Sequence, residues 1–300
     1  MTLGEERRRL PTQRVIGQPG IDPSVDTKDI LQRYFYDPKL VLADCDHLLG
    51  VPFGPINRID HDRIHAIKKN PRFGAWLQLN ESSLLLLNAN SDGESSLDMS
   101  FVSAQVFQSA EKVSTEQANI EAKVIPLAFF CSQHRDYRRD AYGAPSELAI
   151  SLLLQLVNTY RGFIPEDLAA AFDDFNPEDI GSILTTFGFL VSRLPTSAMV
   201  FLIVDGLRYF GYPKKRRDEM TAVVAGLVDI YRREHTAKLK FLFANSTRAD
   251  FLEHLFPDEK LQLPRELWIE QGYNTRSWTK RVNLGRLGEQ AEATGSDDRF

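Results

Sequence analysis

The sequence predicts an α/β protein built on a parallel sheet, because short apolar runs alternate with longer segments of helical periodicity. Five apolar runs are the predicted strands, at 83–87, 123–130, 198–205, 239–244 and 261–263. Between them, apolar residues recur three and four positions apart, which is typical of helices with one buried face. Strands separated by helices pair in parallel through right-handed crossovers, so we expect helices on both faces of one sheet.

The third apolar run, AMVFLIVD at 198–205, is the predicted central strand. Its six consecutive large apolar residues, Met199–Val204, suit a strand that is covered on both faces. Pro177 is expected in the first turn of the helix that precedes this strand. The predicted helices of the sheet region span 98–113, 144–160, 165–171, 177–194 and 217–233.

The rest of the chain divides into three parts around an α/β domain at 81–270. Residues 1–27 mix charges with Pro and Gly and show no sustained period, so we expect a disordered arm. The polar segment 271–300 is expected to be a mostly disordered tail. Residues 28–80 predict a helical lead-in. Trp76 stands just before the first strand, so we expect it to be buried where the lead-in meets the core.

Composition excludes several classes of protein. The 300 residues hold 36 Lys and Arg against 41 Asp and Glu, and the formal charge of −5 argues against a dedicated nucleic-acid or anionic-membrane surface. The apolar runs are well short of the roughly 20 residues that span a bilayer. Two cysteines are too few for a disulfide framework, and the first ten residues hold no apolar stretch of signal-peptide length. We therefore expect a cytoplasmic protein.

The loop after the first strand is a candidate phosphate-binding site, because ligands of parallel α/β sheets bind at the carboxyl ends of the strands. It reads NANSDGESS at 88–96. A phosphate-binding loop has the form G-x-x-x-x-G-K-[ST], in which the glycines let backbone N–H groups surround phosphate, the Lys neutralises charge and the hydroxyl holds magnesium. Gly93 and Ser95 fit this pattern, whereas Asn88 and Glu94 do not.

Four further motifs, taken in order and spacing, carry a resemblance to a known family. They are FGAWL (73–77), AFFCSQHR (128–135), SELAISLLLQLV (146–157) and FLIVDG (201–206). Over about 56–264 the chain resembles the nephrocystin-type NACHT domains of large fungal STAND proteins. The resemblance implies a P-loop NTPase fold with strand order 5-1-4-3-2 and a nucleotide at the first loop. The residues implied at the nucleotide are Asn88, Ser91, Asp92, Gly93, Glu94, Ser95, Ser96, Asp205 and Arg248, with Ser95 and Asp205 at the magnesium ion.

The chain departs from the family pattern at positions that matter for chemistry. Glu94 stands where the family has its phosphate-binding Lys. Each such contact at about 4 Å and an effective dielectric near 20 is worth on the order of 4 kcal/mol, so replacing attraction by repulsion costs several kcal/mol. After Asp205 the family has two acids, one of which activates the attacking water, but this chain has Arg208 and Tyr209 there. Neither is a good general base at neutral pH. Arg248, by contrast, matches the family's γ-phosphate sensor.

Structural roles are the alternative for the same residues. Asp92, Ser95 or Ser96 would then cap the helix that follows the loop. Asp205 would hydrogen-bond neighbouring loops, and Arg248 would form a salt bridge.

Two other patterns are interpreted as structural. His61 and His65 have the i, i+4 spacing of a helical metal pair, but no second pair with ligand spacing follows them. The basic tract Lys214–Arg217 stands between a turn and an amphipathic helix, so we expect a solvated helix entrance rather than an import or nucleic-acid signal.

The sequence therefore favours a degenerate NACHT-like P-loop domain that acts as a regulatory or protein-interaction module without nucleotide hydrolysis. We expect a protein partner, no membrane or nucleic-acid partner, no required cofactor and weak or no nucleotide binding. One alternative is an active STAND-type switch that binds ATP or GTP with magnesium. The other is an unrelated α/β enzyme.

Overall fold

Five parallel strands form one sheet at the centre of the structure. The computed structural model describes residues 26–51, 61–91, 96–116 and 123–266. The strands are β1 (Ser83–Asn88), β2 (Lys123–Phe130), β3 (Ala198–Asp205), β4 (Lys238–Asn245) and β5 (Lys260–Gln262). They lie in the order β2-β3-β4-β1-β5, and every pairing is parallel. This confirms the predicted α/β class, the parallel pairing and the predicted order, which is the same series counted from the other edge.

Helices cover both faces of this sheet. Within the described ranges they are α1 (Thr27–Arg33), α2 (Lys39–Leu49), α3 (His61–Lys69), α4 (Pro71–Gln78), α5 (Asp98–Glu116), α6 (Pro145–Thr159), α7 (Pro165–Phe172), α8 (Ile180–Ser192) and α9 (Lys214–Arg232). Two 3₁₀ helices, Leu207–Phe210 and Asp250–Leu255, follow β3 and β4. The predicted arm and tail lie outside the described residues, apart from Asp26 and Thr27 at the start of α1.

Helix α8 begins three residues later than its sequence predicts. Pro177 lies in a turn rather than in the first helical turn. The helix starts at Ile180 because the Asp179 side chain accepts hydrogen bonds from the backbone N–H groups of Gly181 and Ser182, which caps the first turn.

Strand β3 is the centre of the core, as its apolar run predicts. All eight of its residues are buried, and it lies between β2 and β4. Val200, Leu202 and Val204 pack in the layer that contains α6, α8 and α9. Phe201 and Ile203 pack in the opposite layer, which contains α5. The alternation of the strand therefore supplies both layers of the core.

The helices before the sheet belong to both of these layers. Ile30 of α1 packs in the layer of α6, α8 and α9. Cys45 and Leu48 of α2 and Ile67 of α3 pack with α5 on the other face. The lead-in is therefore continuous with the core of the sheet.

Trp76 of α4 joins the lead-in helices to the sheet. Its predicted burial is confirmed, because the side chain is only 3% exposed. Its indole N–H lies 3.2 Å from the carbonyl oxygens of both Ser83 in β1 and Phe241 in β4. The buried Lys240 amine donates to the Trp76 carbonyl at 2.5 Å and to the Ser83 hydroxyl at 3.2 Å. Burial lowers the pKa of Lys240 to about 8. The side chain and the backbone carbonyl of Trp76 thus join α4 to β1 and β4.

Replacement of this anchor is expected to destabilise the whole fold. Trp76→Ala should lower the free energy of unfolding by about 3–5 kcal/mol, because it leaves a cavity and removes the indole donor. Leu79→Ala is the control, since Leu79 is 47% exposed and should change stability by less than about 0.5 kcal/mol. Urea denaturation measures both. Equal losses in the two variants would contradict the anchoring role.

Candidate functional site

The loop after β1 is joined at its two ends by one carboxylate. The hydroxyl groups of Ser91 and Ser96 donate to the same Oδ2 atom of Asp98, at 2.7 and 2.6 Å, and all three residues are buried. Asp98 is the first residue of α5, where negative charge is stabilised by the helix dipole. Predicted site residues Asp92, Gly93, Glu94 and Ser95 lie outside the described residues. The hydroxyls that flank them are engaged within the protein.

Asn88 occupies the position of the first glycine of the loop pattern and is fully buried. Its amide nitrogen donates to Glu253 at 3.4 Å, and its amide oxygen accepts from Asn245 at 3.3 Å. The side chain therefore links the carboxyl ends of β1 and β4 to the 3₁₀ helix that follows β4.

Asp205, at the carboxyl end of β3, contacts α5. One carboxyl oxygen accepts from the Ser100 hydroxyl at 2.5 Å, and the other lies 3.4 Å from the Ser103 hydroxyl. Burial raises the pKa of Asp205 to about 7, and the hydrogen bonds from these two serines oppose that rise only in part. Burial therefore shifts the group towards its protonated form near neutral pH.

Gly206 turns the chain sharply after Asp205. Its φ of +73° is in the left-handed region, and an added Cβ would lie 3.0 Å from the Ser132 nitrogen and 3.0 Å from the Tyr209 ring. The turn leads into the 3₁₀ helix that carries Arg208 and Tyr209. The Arg208 guanidinium donates to the Thr247 hydroxyl at 2.5 Å, and the Arg135 guanidinium stacks over the Tyr209 ring at 3.9 Å.

A cavity of about 840 Å³ lies beside these turns, at the carboxyl ends of β1, β3 and β4. Four arginines line it: Arg208, Arg217, Arg248 and Arg265. Among its described lining residues, Asp250 is the single acid. The described lining of the cavity therefore carries more positive than negative charge, in a chain whose formal net charge is −5.

Arg248, the predicted sensor, is held in an ion pair. Its Nε and terminal nitrogen donate to the two Glu253 carboxylate oxygens at 3.0 and 2.9 Å, and Asp250 lies 3.1 Å away. The hydrogen bond to Glu253 raises the pKa of Arg248 and lowers that of Glu253. Gln262 of β5 also donates to Glu253, at 3.0 Å. No sequence pattern singles out Glu253, since its partners come from three elements.

A second charged cluster at this edge was also missed by the sequence analysis. The buried imidazole of His134 lies between two carboxylates, with Nδ1 at 2.9 Å from Asp140 and Nε2 at 2.9 Å from Asp44 of α2. Burial alone would lower the His134 pKa, but the hydrogen bonds to Asp140 and Asp44 outweigh it and raise the pKa to about 9. The ring is therefore an imidazolium at neutral pH and donates to both acids.

The expectation that Lys214–Arg217 form a solvated helix entrance is wrong for Arg216. Lys214 and Lys215 are exposed, but Arg216 is buried and donates to the carbonyl oxygens of His134 at 2.8 Å and Tyr209 at 3.0 Å. Its guanidinium also stacks over the Phe210 ring at 3.7 Å. This arginine joins the loop after β2 to the turn after β3.

The part of the chain that the structure describes contains neither a group of metal ligands nor a helix suited to spanning a membrane. No group of three or more His, Cys, Asp or Glu residues there is placed to hold a metal ion. None of the described helices is both long and apolar enough to cross a membrane. Burial also raises the pKa values of the Cys45 and Cys131 thiols, so neither is poised as a nucleophile.

No family model, curated protein or solved structure matches the chain. The resemblance to NACHT domains therefore rests on the residues alone.

The His134 cluster predicts a specific pH dependence of stability. A histidine whose pKa rises on folding, from 6.5 to about 9, stabilises the fold fully below pH 6.5, and this contribution is lost as pH rises through about 9. The stability difference between the unmodified protein and His134→Gln should therefore fall by on the order of 3 kcal/mol over this range.

Denaturation at a series of pH values measures this difference. His254→Gln is the control, because it removes an exposed histidine from the 3₁₀ helix after β4. A pH-independent difference for His134→Gln would show that folding does not raise the pKa of His134.

Proposed function

We propose that this chain is a degenerate P-loop domain of the NACHT kind that acts as a regulatory or protein-interaction module and does not hydrolyse nucleotide. The observation that carries the proposal is the complete burial of Asp205, whose two carboxyl oxygens contact the hydroxyls of Ser100 and Ser103. In an active site of this kind the carboxylate is ionised and helps to hold magnesium. Here the pKa is raised to about 7, which weakens the group as a cation ligand.

The cavity also offers no suitable base among its described lining residues. Hydrolysis needs a group that positions or activates the attacking water. Asp250, the acid of the lining, pairs with Arg248 at 3.1 Å. Arg208 and Tyr209 stand where the family has its paired acids, which supports a loss of catalysis rather than a slow reaction.

A role in protein interaction is supported by exposed aromatic and basic side chains near the same edge. Tyr212 is 81% exposed and also lines the cavity. Tyr137 is 41% exposed, and its hydroxyl accepts a hydrogen bond from Arg138 at 3.1 Å. Tyr and Arg are the side chains that most often dominate protein interfaces.

The alternative is an active switch that binds ATP or GTP with magnesium. The arginine-lined cavity favours it, because the cavity lies at the carboxyl ends of the strands, where the resemblance implies a nucleotide.

Nucleotide titration separates these two functions. We expect ATP and GTP to bind with dissociation constants weaker than about 100 μM, with or without magnesium, and no turnover above background. Calorimetry and phosphate release measure the two properties. Hydrolysis approaching about 1 per second that Asp205→Asn abolishes would replace the proposal by the active switch.

Reversing the charge at Glu94 tests why binding is weak. A gain in ATP affinity of about tenfold or more for Glu94→Lys, roughly 1.4 kcal/mol, would mean that the loop keeps a phosphate-binding geometry and has lost only the charge. No gain would mean that the loop itself has drifted from that geometry. Glu116→Lys, at the far end of α5, changes the net charge equally and should leave affinity unchanged. Equal gains in both variants would contradict a local effect at the loop.

A further inference from the structure

The loop after β2 is held in one shape by hydrogen bonds within itself. The Asp140 carboxylate contacts the His134 ring at 2.9 Å and accepts from the backbone N–H of Tyr142 at 2.9 Å. The Asp136 carboxylate accepts from the backbone N–H of Arg138 at 3.1 Å. The side chains of this loop are therefore positioned before any partner arrives, which lowers the entropy lost on binding.

Arg216 joins this loop to the turn after β3. Its guanidinium donates to the carbonyl oxygens of Arg135 and Tyr209, each at 3.0 Å. The same group lies 3.7 Å from the centre of the Phe210 ring and 5.6 Å from that of the Tyr137 ring. Tyr137 therefore packs near a buried cation that also fixes the other turn.

Two exposed tyrosines and one arginine lie on the surface of these joined turns. Tyr212 is the most exposed large hydrophobic side chain among the described residues, and Tyr137 is exposed as well. Arg138 donates to the Tyr137 hydroxyl at 3.1 Å. This hydrogen bond raises the pKa of Arg138, with smaller contributions that include Tyr212, so Tyr212 is within electrostatic reach of the same guanidinium. We call Tyr137, Arg138 and Tyr212 the tyrosine–arginine patch.

Basic residues flank the patch along the chain, and their ion pairs are long. Arg139 and Lys215 are 89% and 87% exposed, and they pair with Asp136 at 3.9 Å and with Glu219 at 3.8 Å. Exposed pairs of this kind contribute little in water. The carboxylates of a partner can therefore take the place of these acids at little cost.

We propose that the tyrosine–arginine patch binds an acidic segment of a partner protein that also carries apolar or aromatic side chains. The carboxylates of the segment pair with Arg138 and Arg139, and its apolar side chains cover the two tyrosine rings. Exposed basic side chains gathered at one place on a chain of formal charge −5 fit a partner of opposite charge. The inference rests on the proposed function, because it names the partner of an interaction module.

The acids near the patch favour a protein over a nucleic acid. Asp136, Asp218 and Glu219 lie beside the basic side chains, at 3.7 to 3.9 Å from Arg139, Arg217 and Lys215 respectively. A phosphate backbone carries closely spaced negative charges and would be repelled by these acids. A peptide segment places its carboxylates singly and can avoid them.

A fluorescein-labelled peptide of repeated Asp-Glu-Phe units is the probe. Fluorescence polarisation with the full chain at low salt should give a dissociation constant of about 100 μM or tighter, which weakens as salt is added. A peptide of repeated Lys-Lys-Phe units should not bind. Tyr137→Ala, Tyr212→Ala and Arg138→Gln should each weaken binding of the acidic peptide by about fivefold or more. All three side chains are exposed, so these variants are expected to fold.

Ile164→Ala and Arg161→Gln are the matched controls. They remove an exposed apolar side chain and an exposed arginine. Both residues follow Tyr160, whose ring lies 5.4 Å from the Lys123 amine at the start of β2, so they are at the opposite end of the strands. Both variants should bind the acidic peptide as the unmodified protein does.

Several results would overturn the inference. They are no binding of the acidic peptide, equal binding of its basic counterpart, and equal losses in the two controls. Tighter binding of single-stranded oligothymidine that is lost in the same three variants would assign the patch to nucleic acid instead. A dimer in sedimentation that Tyr212→Ala dissociates would assign it to a second copy of the chain.

This inference and the loss of hydrolysis fail in distinguishable ways. Turnover of ATP with magnesium overturns the loss of hydrolysis and leaves binding of the acidic peptide as a separate result. Failure of the peptide to bind overturns the assignment of the patch and leaves the absence of hydrolysis in place.

Discussion

Burial of β3 on both faces is the constraint on which the rest of the structure depends. Its eight residues pack against two helical layers, and its neighbours β2 and β4 pair with it along nearly its whole length. A strand in this position ends in the protein interior, so Asp205 at its carboxyl end is fully buried. Any carboxylate at that place must be satisfied by protein groups or take up a proton.

The hydrogen bonds that compensate for the burial of Asp205 shape the carboxyl end of the sheet. The serines of α5 hydrogen-bond Asp205, and the chain then turns at Gly206 to present Arg208 and Tyr209. Four arginines line the cavity, and the nearby Glu253 carboxylate accepts a hydrogen bond from one of them, Arg248. Among the described residues of this edge, arginines therefore outnumber acids, and Asp205 and Glu253 are engaged by other side chains of the protein.

Elements with a local signature could be predicted from the sequence, and side-chain partnerships could not. The unbroken apolar run of β3 predicts a doubly covered strand, whereas the strand order came from the family resemblance. The start of α8 depends on a cap at Asp179, which competes with the proline signal. His134 meets Asp44 across ninety residues of chain, and such a pairing has no periodicity to reveal it. Arg216 likewise reads as part of a basic tract until the fold buries it.

The protonation state of Asp205 is the most direct test of this account. It can be followed by the carbon-13 shift of its carboxyl carbon across a pH series, assigned by its loss in Asp205→Asn, with and without excess magnesium. The account predicts a midpoint near 7 that magnesium leaves unchanged. A midpoint at or below about 4, shifted further down by magnesium, would show an ionised metal ligand and would contradict it.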